Sequence, residues 1–248
     1  MTEAYFQEAI DYIQSTITER AGKLQNNTGQ IKKPQILAQA NFRDQCELLV
    51  ARYSAGHPVD TLTNDLAAVV SAWEASLATP GSSANDLSYL DDHVRSLWIV
   101  SLGLIFRVDD DLWERILACA GNEGQDRMFE RLVSTRTPGR APASKLLHPR
   151  AYAFLDSAAQ KKSPEEMIRF LKAWYPALQE IGWYDSHKGP EGGGFFGYWA
   201  IEAAGVAVVF GIDDSTFKDL PYYPKDLADH GRSAGIPATT HEGGNNQT

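Results

Sequence analysis

Apolar residues recur at helical spacing along nearly the whole chain, and no stretch of useful length alternates apolar and polar residues with a period of two. A half-buried strand needs that alternation, whereas a helix repeats every 3.6 residues or so (about one turn), and the chain therefore reads as all-α. Tyr5, Phe6, Ala9, Ile10, Ile13 and Ile17 predict a first helix to about residue 24, and Asn26-Asn27-Thr28-Gly29 breaks it. Pro34 suits the first turn of a second helix, which carries Ile36, Leu37, Phe42, Leu48 and Leu49 and ends near Gly56. Val59, Leu62, Leu66, Val69, Val70 and Trp73 make a third. Asn85 is the expected N-cap of a fourth, with Asp86 near its positive end and Leu87, Leu90, Val94, Leu97, Trp98 and Leu104 along one face. Residues 109–120, 125–134, 144–159 and 164–175 predict four more, and 195–210 a last helix that is apolar on most sides. Ser163-Pro164-Glu165-Glu166 combines a Ser cap, Pro at the first position and two carboxylates, a strong start signal. The expectation is a multi-helix bundle of about nine helices.

The clearest linker is Thr135-Arg136-Thr137-Pro138-Gly139-Arg140-Ala141-Pro142. It divides the bundle into an N-terminal helical part, 1–135, and a C-terminal helical part, 143–232. Residues 188–194 read as a flexible loop, and 233–248, rich in Gly, Thr and Asn, as a flexible tail. The 248 residues suffice for a real core in one large domain or two small ones.

Charge narrows the partners. The formal net charge is −9. Nucleic acids are polyanions bound through Lys and Arg, so no nucleic-acid partner is expected; the balance suits a basic protein partner or plain solubility. Cys46 and Cys119 are too few for a secreted disulfide framework and read as buried thiols. The first residues carry Glu3, Glu8 and Asp11 where a secretory signal needs a basic patch and an apolar run. The most apolar run, 199–210, contains Glu202 and is too short to span a bilayer. A cytoplasmic protein with no membrane partner is expected.

Few motifs point to catalysis. Gly192-Gly193-Gly194 lacks the Lys-Ser/Thr ending of a phosphate-binding loop and reads as a hinge or turn. The acidic runs Asp91-Asp92, Asp109-Asp110-Asp111 and Asp213-Asp214 could ligate a metal. Adjacent helical positions diverge by about 100°, however, and acids at a helix start are explained by its dipole. A helical metal-dependent phosphohydrolase is the enzyme alternative. The His-Asp dipeptide of that class occurs nowhere; the order is reversed at Asp92-His93 and Asp229-His230, and the six histidines lack zinc-like spacing. No Gly-x-Ser-x-Gly elbow is present. No catalytic residue, metal or cofactor is expected.

Glu202 lies inside an apolar run, where a carboxylate is costly to bury unless paired. An ion pair with an arginine such as Arg95 or Arg169 would make it a structural buried charge; a raised pKa with a proton-transfer role is the alternative. Around it, residues 180–229 hold nine acids against three lysines, interleaved with Trp183, Tyr184, Phe195, Phe196, Tyr198, Trp199, Phe217, Tyr222 and Tyr223. Such a mixture makes either a surface for a basic protein or a core with solvated acids at its rim.

Three stretches carry a resemblance. Gly197-Tyr198-Trp199-Ala200-Ile201-Glu202-Ala203-Ala204, then Gly211-Ile212-Asp213-Asp214-Ser215-Thr216-Phe217, then Leu220-Pro221-Tyr222-Tyr223-Pro224-Lys225-Asp226-Leu227 closely resemble the C-terminal domain of PoNi immunity proteins. The N-terminal part is similar more weakly, chiefly through Ala51-Arg52-Tyr53-Ser54-Ala55-Gly56 followed by Pro58-Val59. The resemblance implies a helical protein made beside a secreted DNase toxin, often one of a type VI secretion system, which it neutralises. Contacts with that cognate nuclease toxin are expected on Asp91, Asp92, Asp185, Glu191, Asp213, Asp214, Asp219, Tyr222, Tyr223 and Asp226.

Overall fold

A computed structural model describes residues 1–27, 29–189 and 193–233. Among these residues the chain forms ten α-helices and no strand: α1 (Glu3–Gln25), α2 (Pro34–Ser54), α3 (Leu62–Ala78), α4 (Leu90–Ile105), α5 (Asp110–Ala120), α6 (Arg127–Val133), α7 (Pro149–Lys161), α8 (Pro164–Ala177), α9 (Ile201–Val209) and α10 (Lys225–Ser233). The starts are written locally. Thr2, Asp109, Asp126 and Ser163 each accept a backbone N–H of the first turn, and Pro34, Pro149 and Pro164 occupy first-turn positions where no donor is needed.

Two helices form the axis. α4 is buried on every side from His93 to Ile105, and α9 from Ile201 to Val208. They pack directly on each other. An ideal Cβ at Gly205 would fall 2.6 Å from Cβ of Ser101, so only glycine permits this approach. α1, α2 and α3 pack in sequence, and α3 and α5 rest on α4. α7 and α8 form a pair that reaches α9, while α10 covers both α4 and α9.

One apolar core runs from Ile10 to Ala228, including fully buried Trp174, Tyr152, Phe129 and Phe170. Helices on either side of 135–142 share it. That segment is tied down: Trp113 Nε1–H donates to Thr137 Oγ1 at 2.8 Å, Arg136 pairs with Asp110, and Arg140 grips both oxygens of Glu130 at 2.8 Å. Bidentate charge-assisted bonds of this kind fix geometry as well as adding energy.

Several local expectations are corrected. The fourth helix starts at Leu90, because Asn85 donates instead to Ser96 Oγ and the Ala120 carbonyl. The seventh starts at Pro149. The ninth starts only at Ile201: Gly197 sits at φ +110°, and Ala200 N–H donates to the Tyr222 carbonyl at 2.9 Å rather than continuing a helix. α10 is a tenth helix with no sequence expectation; its buried face is only Leu227, Ala228 and Gly231. Of the loop and tail expectations, 190–192 and 234–248 lie outside the described residues.

Candidate partner-binding face

The C-terminal end of α8 sets up the first part of the face. Trp174 and Tyr175 are adjacent and so point about 100° apart. Trp174 enters the core, and Tyr175 turns outward, half-buried. Tyr184 stacks on Tyr175 with ring centroids 4.5 Å apart, and Tyr222 stacks on it at 5.5 Å. Tyr198 leans against it at 4.9 Å. Together with Asp185 and Lys188 these rings line a groove of about 670 Å³. Tyr175 Oη–H donates to Asp185 Oδ1 at 2.8 Å, and Lys188 Nζ donates to Oδ2 at 2.7 Å. The lysine first, then the tyrosine, hold the Asp185 carboxyl below its ordinary range.

A second groove, about 630 Å³, includes Arg43, Trp73, Tyr89, Asp91, Asp92 and Gly182 in its lining. Gly182 of its lining precedes Asp185 of the first groove on the same short segment. Asp91 Oδ1 meets Arg95 Nη1 at 3.2 Å. Burial raises the Asp92 carboxyl, and pushes Glu47 up to about 7 although Arg95 opposes it. Tyr89 is 66% exposed.

The remaining expected contacts surround α10. Asp213, Asp219 and Asp226 are exposed; Asp213 caps Ser215, and Asp219 lies 3.6 Å from Lys225. Asp214 and Tyr223 are buried: Tyr223 Oη–H and Arg232 Nη1 both donate to Asp214 Oδ2, at 2.9 and 2.7 Å. This pair locks the Pro-Tyr-Tyr-Pro turn onto α10 and presents no carboxylate outward. Glu191 lies outside the described residues. The nine expected contacts among the described residues therefore do not converge on one spot. Tyr175 and Tyr89 belong to the face but drew no notice in the sequence, since each reads as one more ring on or beside a helix.

Glu202 is fully buried, as its surroundings implied, but its partner is not an arginine. Arg95 pairs with Asp91 and Arg169 with Glu166. Trp174 Nε1–H donates to Glu202 Oε1 at 2.7 Å. Trp98 and Tyr152 turn their polar atoms toward the same carboxyl and favour its charged form more weakly, outside regular hydrogen-bond geometry. Burial outweighs these donors and raises the carboxyl to about 7. Beyond Tyr152 stands His93, fully buried, its Nε2 3.1 Å from Asp126 Oδ1 and its ring edge on His148 at 4.7 Å. Burial pushes Asp126 up, but His93 and the Leu147 and Phe129 N–H groups outweigh it and lower the carboxyl. The two Asp-His dipeptides are thus separate: His93 faces the core, and His230 meets Asp60 at 3.1 Å. Among the described residues no three His, Cys, Asp or Glu side chains are grouped to hold a metal ion, and no helix is long and apolar enough to cross a membrane. The two grooves are lined by carboxylates and half-exposed tyrosines.

Comparison with known proteins fits this picture. A crystal structure of protein PA2201 from Pseudomonas aeruginosa has the same fold, with a TM-score of 0.74 at 16% identity over 95% of this chain and 90% of that one. A search of curated proteins found no match. Two family models match in order: the N-terminal domain of PoNe immunity proteins (PoNi) over residues 1–118, and their C-terminal domain over 124–227. The N-terminal half, where the sequence motifs are weaker, is therefore as much a part of the family as the C-terminal half, and the chain belongs to the PoNe immunity protein (PoNi) family.

Proposed function

We propose that this protein neutralises a cognate secreted antibacterial nuclease, a DNase toxin delivered by a type VI secretion system. It acts in the cytoplasm as a stoichiometric inhibitor and turns over no substrate. The observation that carries the reading is the match to both PoNe immunity domains. The charge supports it: a DNase must hold a polyanion and does so through Lys and Arg, which a chain of net charge −9 attracts. The surface supplies carboxylates for steering, at Asp91, Asp92 and Asp185 in the two grooves and at Asp213, Asp219 and Asp226 around α10, and tyrosines that suit anchoring. The mechanism is occlusion of the toxin's DNA-binding cleft or active site by this acidic surface. Co-expression with the toxin encoded beside the gene, followed by pull-down, tests the reading. Survival of the host and a stable complex are expected. Killing that persists with no complex would leave only a shared fold.

A further inference from the structure

We propose that the groove formed by Tyr175, Tyr184, Tyr198, Tyr222 and Asp185 receives an arginine side chain of the toxin, and that Lys188 is the displaceable internal occupant of the same carboxylate. The inference rests on the toxin-binding reading and adds to it the site and the chemistry of the contact.

The groove is not a chance gap between helices. Two of its side chains are held in the left-handed region, Asp185 at φ +60° and Tyr222 at φ +71°. Aspartate enters this region more readily than most residues, whereas a bulky tyrosine there is an outlier that its surroundings must enforce. Both distortions turn side chains into one groove. Tyr184 and Tyr222 each spend one face on Tyr175, so a planar guanidinium would lie on the ring faces left over while donating in-plane to a carboxylate. Asp185 is positioned for that second contact, since Tyr175 Oη–H donates to its Oδ1 and its own backbone N–H donates to Tyr175 Oη.

The structure also shows where a cation sits. Lys188 Nζ lies 2.7 Å from Asp185 Oδ2, in a groove that Tyr184 and Tyr198 also line. Its side chain is 64% exposed, so it is held by little else and can swing out. An exposed pair of this kind contributes little to stability, which makes displacement cheap. A longer, planar cation from the partner would gain the ring faces that the lysine only borders.

The test uses the full-length protein with ¹³C-labelled tyrosine. N-acetyl-arginine amide, titrated alone, is expected to shift the ring signals of the groove tyrosines, while the uncharged citrulline analogue does not. K188A is expected to bind the arginine probe several-fold more tightly, an effect misfolding cannot mimic, and D185N to abolish it. In the toxin complex, K188A should tighten binding and D185N weaken it by about tenfold. Wild-type toxin affinity retained in K188A, D185N and Y184A would place the groove outside the interface and overturn the proposal, with the immunity reading intact. Absence of probe binding to both wild type and K188A would overturn it as well. If the neighbouring toxin forms no complex with the wild type, the reading and the proposal fail together.

Discussion

The buried Glu202 carboxyl makes the sharpest stability prediction. Its folded-state pKa of about 7 stands above the ordinary 4.5, so the folded protein holds this proton more tightly than the unfolded chain. The sign follows: the extra stability is complete below about 4.5, is lost as pH rises toward about 7, and is flat beyond. The difference of the two values corresponds to about 3 kcal/mol, lost at about 1.4 kcal/mol per pH unit. E202Q keeps the shape, and its carbonyl still accepts from Trp174 Nε1–H while its amide mimics the protonated oxygen facing Tyr152. The variant should match wild type within about 1 kcal/mol at about pH 5 and be the more stable protein by about 2–3 kcal/mol at about pH 8. Glu47, raised in the same direction, is present in both proteins and cancels. Urea titrations across this range, analysed as the difference between the two proteins, read the effect. A difference that stays constant with pH would refute the assignment of a neutral buried carboxyl.

Other expectations follow from single contacts. G205A should destabilise by about 1–3 kcal/mol in urea, because its methyl would fall 2.6 Å from Ser101 and part α4 from α9; an unchanged midpoint would show that the axis is looser than described. Y223F removes one donor from buried Asp214 while Arg232 remains, and should cost about 1 kcal/mol, seen as a lowered Tm. D213K combined with D219K removes the Ser215 cap and the Lys225 contact at a cost of about 1 kcal/mol, so the protein should stay folded while association with the toxin slows about two- to tenfold, the range for rim charges. That slowing should shrink as salt is added, and an equal rate at low salt would remove both residues from the steering surface.

Much of the fold was legible because a period of 3.6 residues or so (about one turn) is a local property of the sequence. The first helix, the capped starts at Asp109 and Ser163, and the burial of Glu202 all follow from neighbours within a turn or two. What escaped depends on distant partners. α10 offers only three buried positions, too few for a stripe, and is held by α4 and α9. Phe195 to Ala200 looked helical until the Tyr222 carbonyl took the Ala200 N–H. Glu202 seemed to need an arginine because charge suggests charge, yet an indole N–H 28 positions away serves it. Of the expected contacts, Asp214 and Tyr223 share the acidic, aromatic character of their neighbours, and only the packing shows that they face inward to each other. The groove was invisible for the same reason: Tyr175, Tyr184, Tyr198 and Tyr222 come from α8, two loops and a turn.

The central claim is stoichiometric inhibition of a nuclease. Its most direct test is titration of this protein into a fixed amount of the purified toxin encoded beside its gene, with cleavage of duplex DNA as the readout. The account predicts that cleavage falls linearly and ends when the two proteins are present in a fixed whole-number ratio. Cleavage unaffected by an excess of this protein would contradict it.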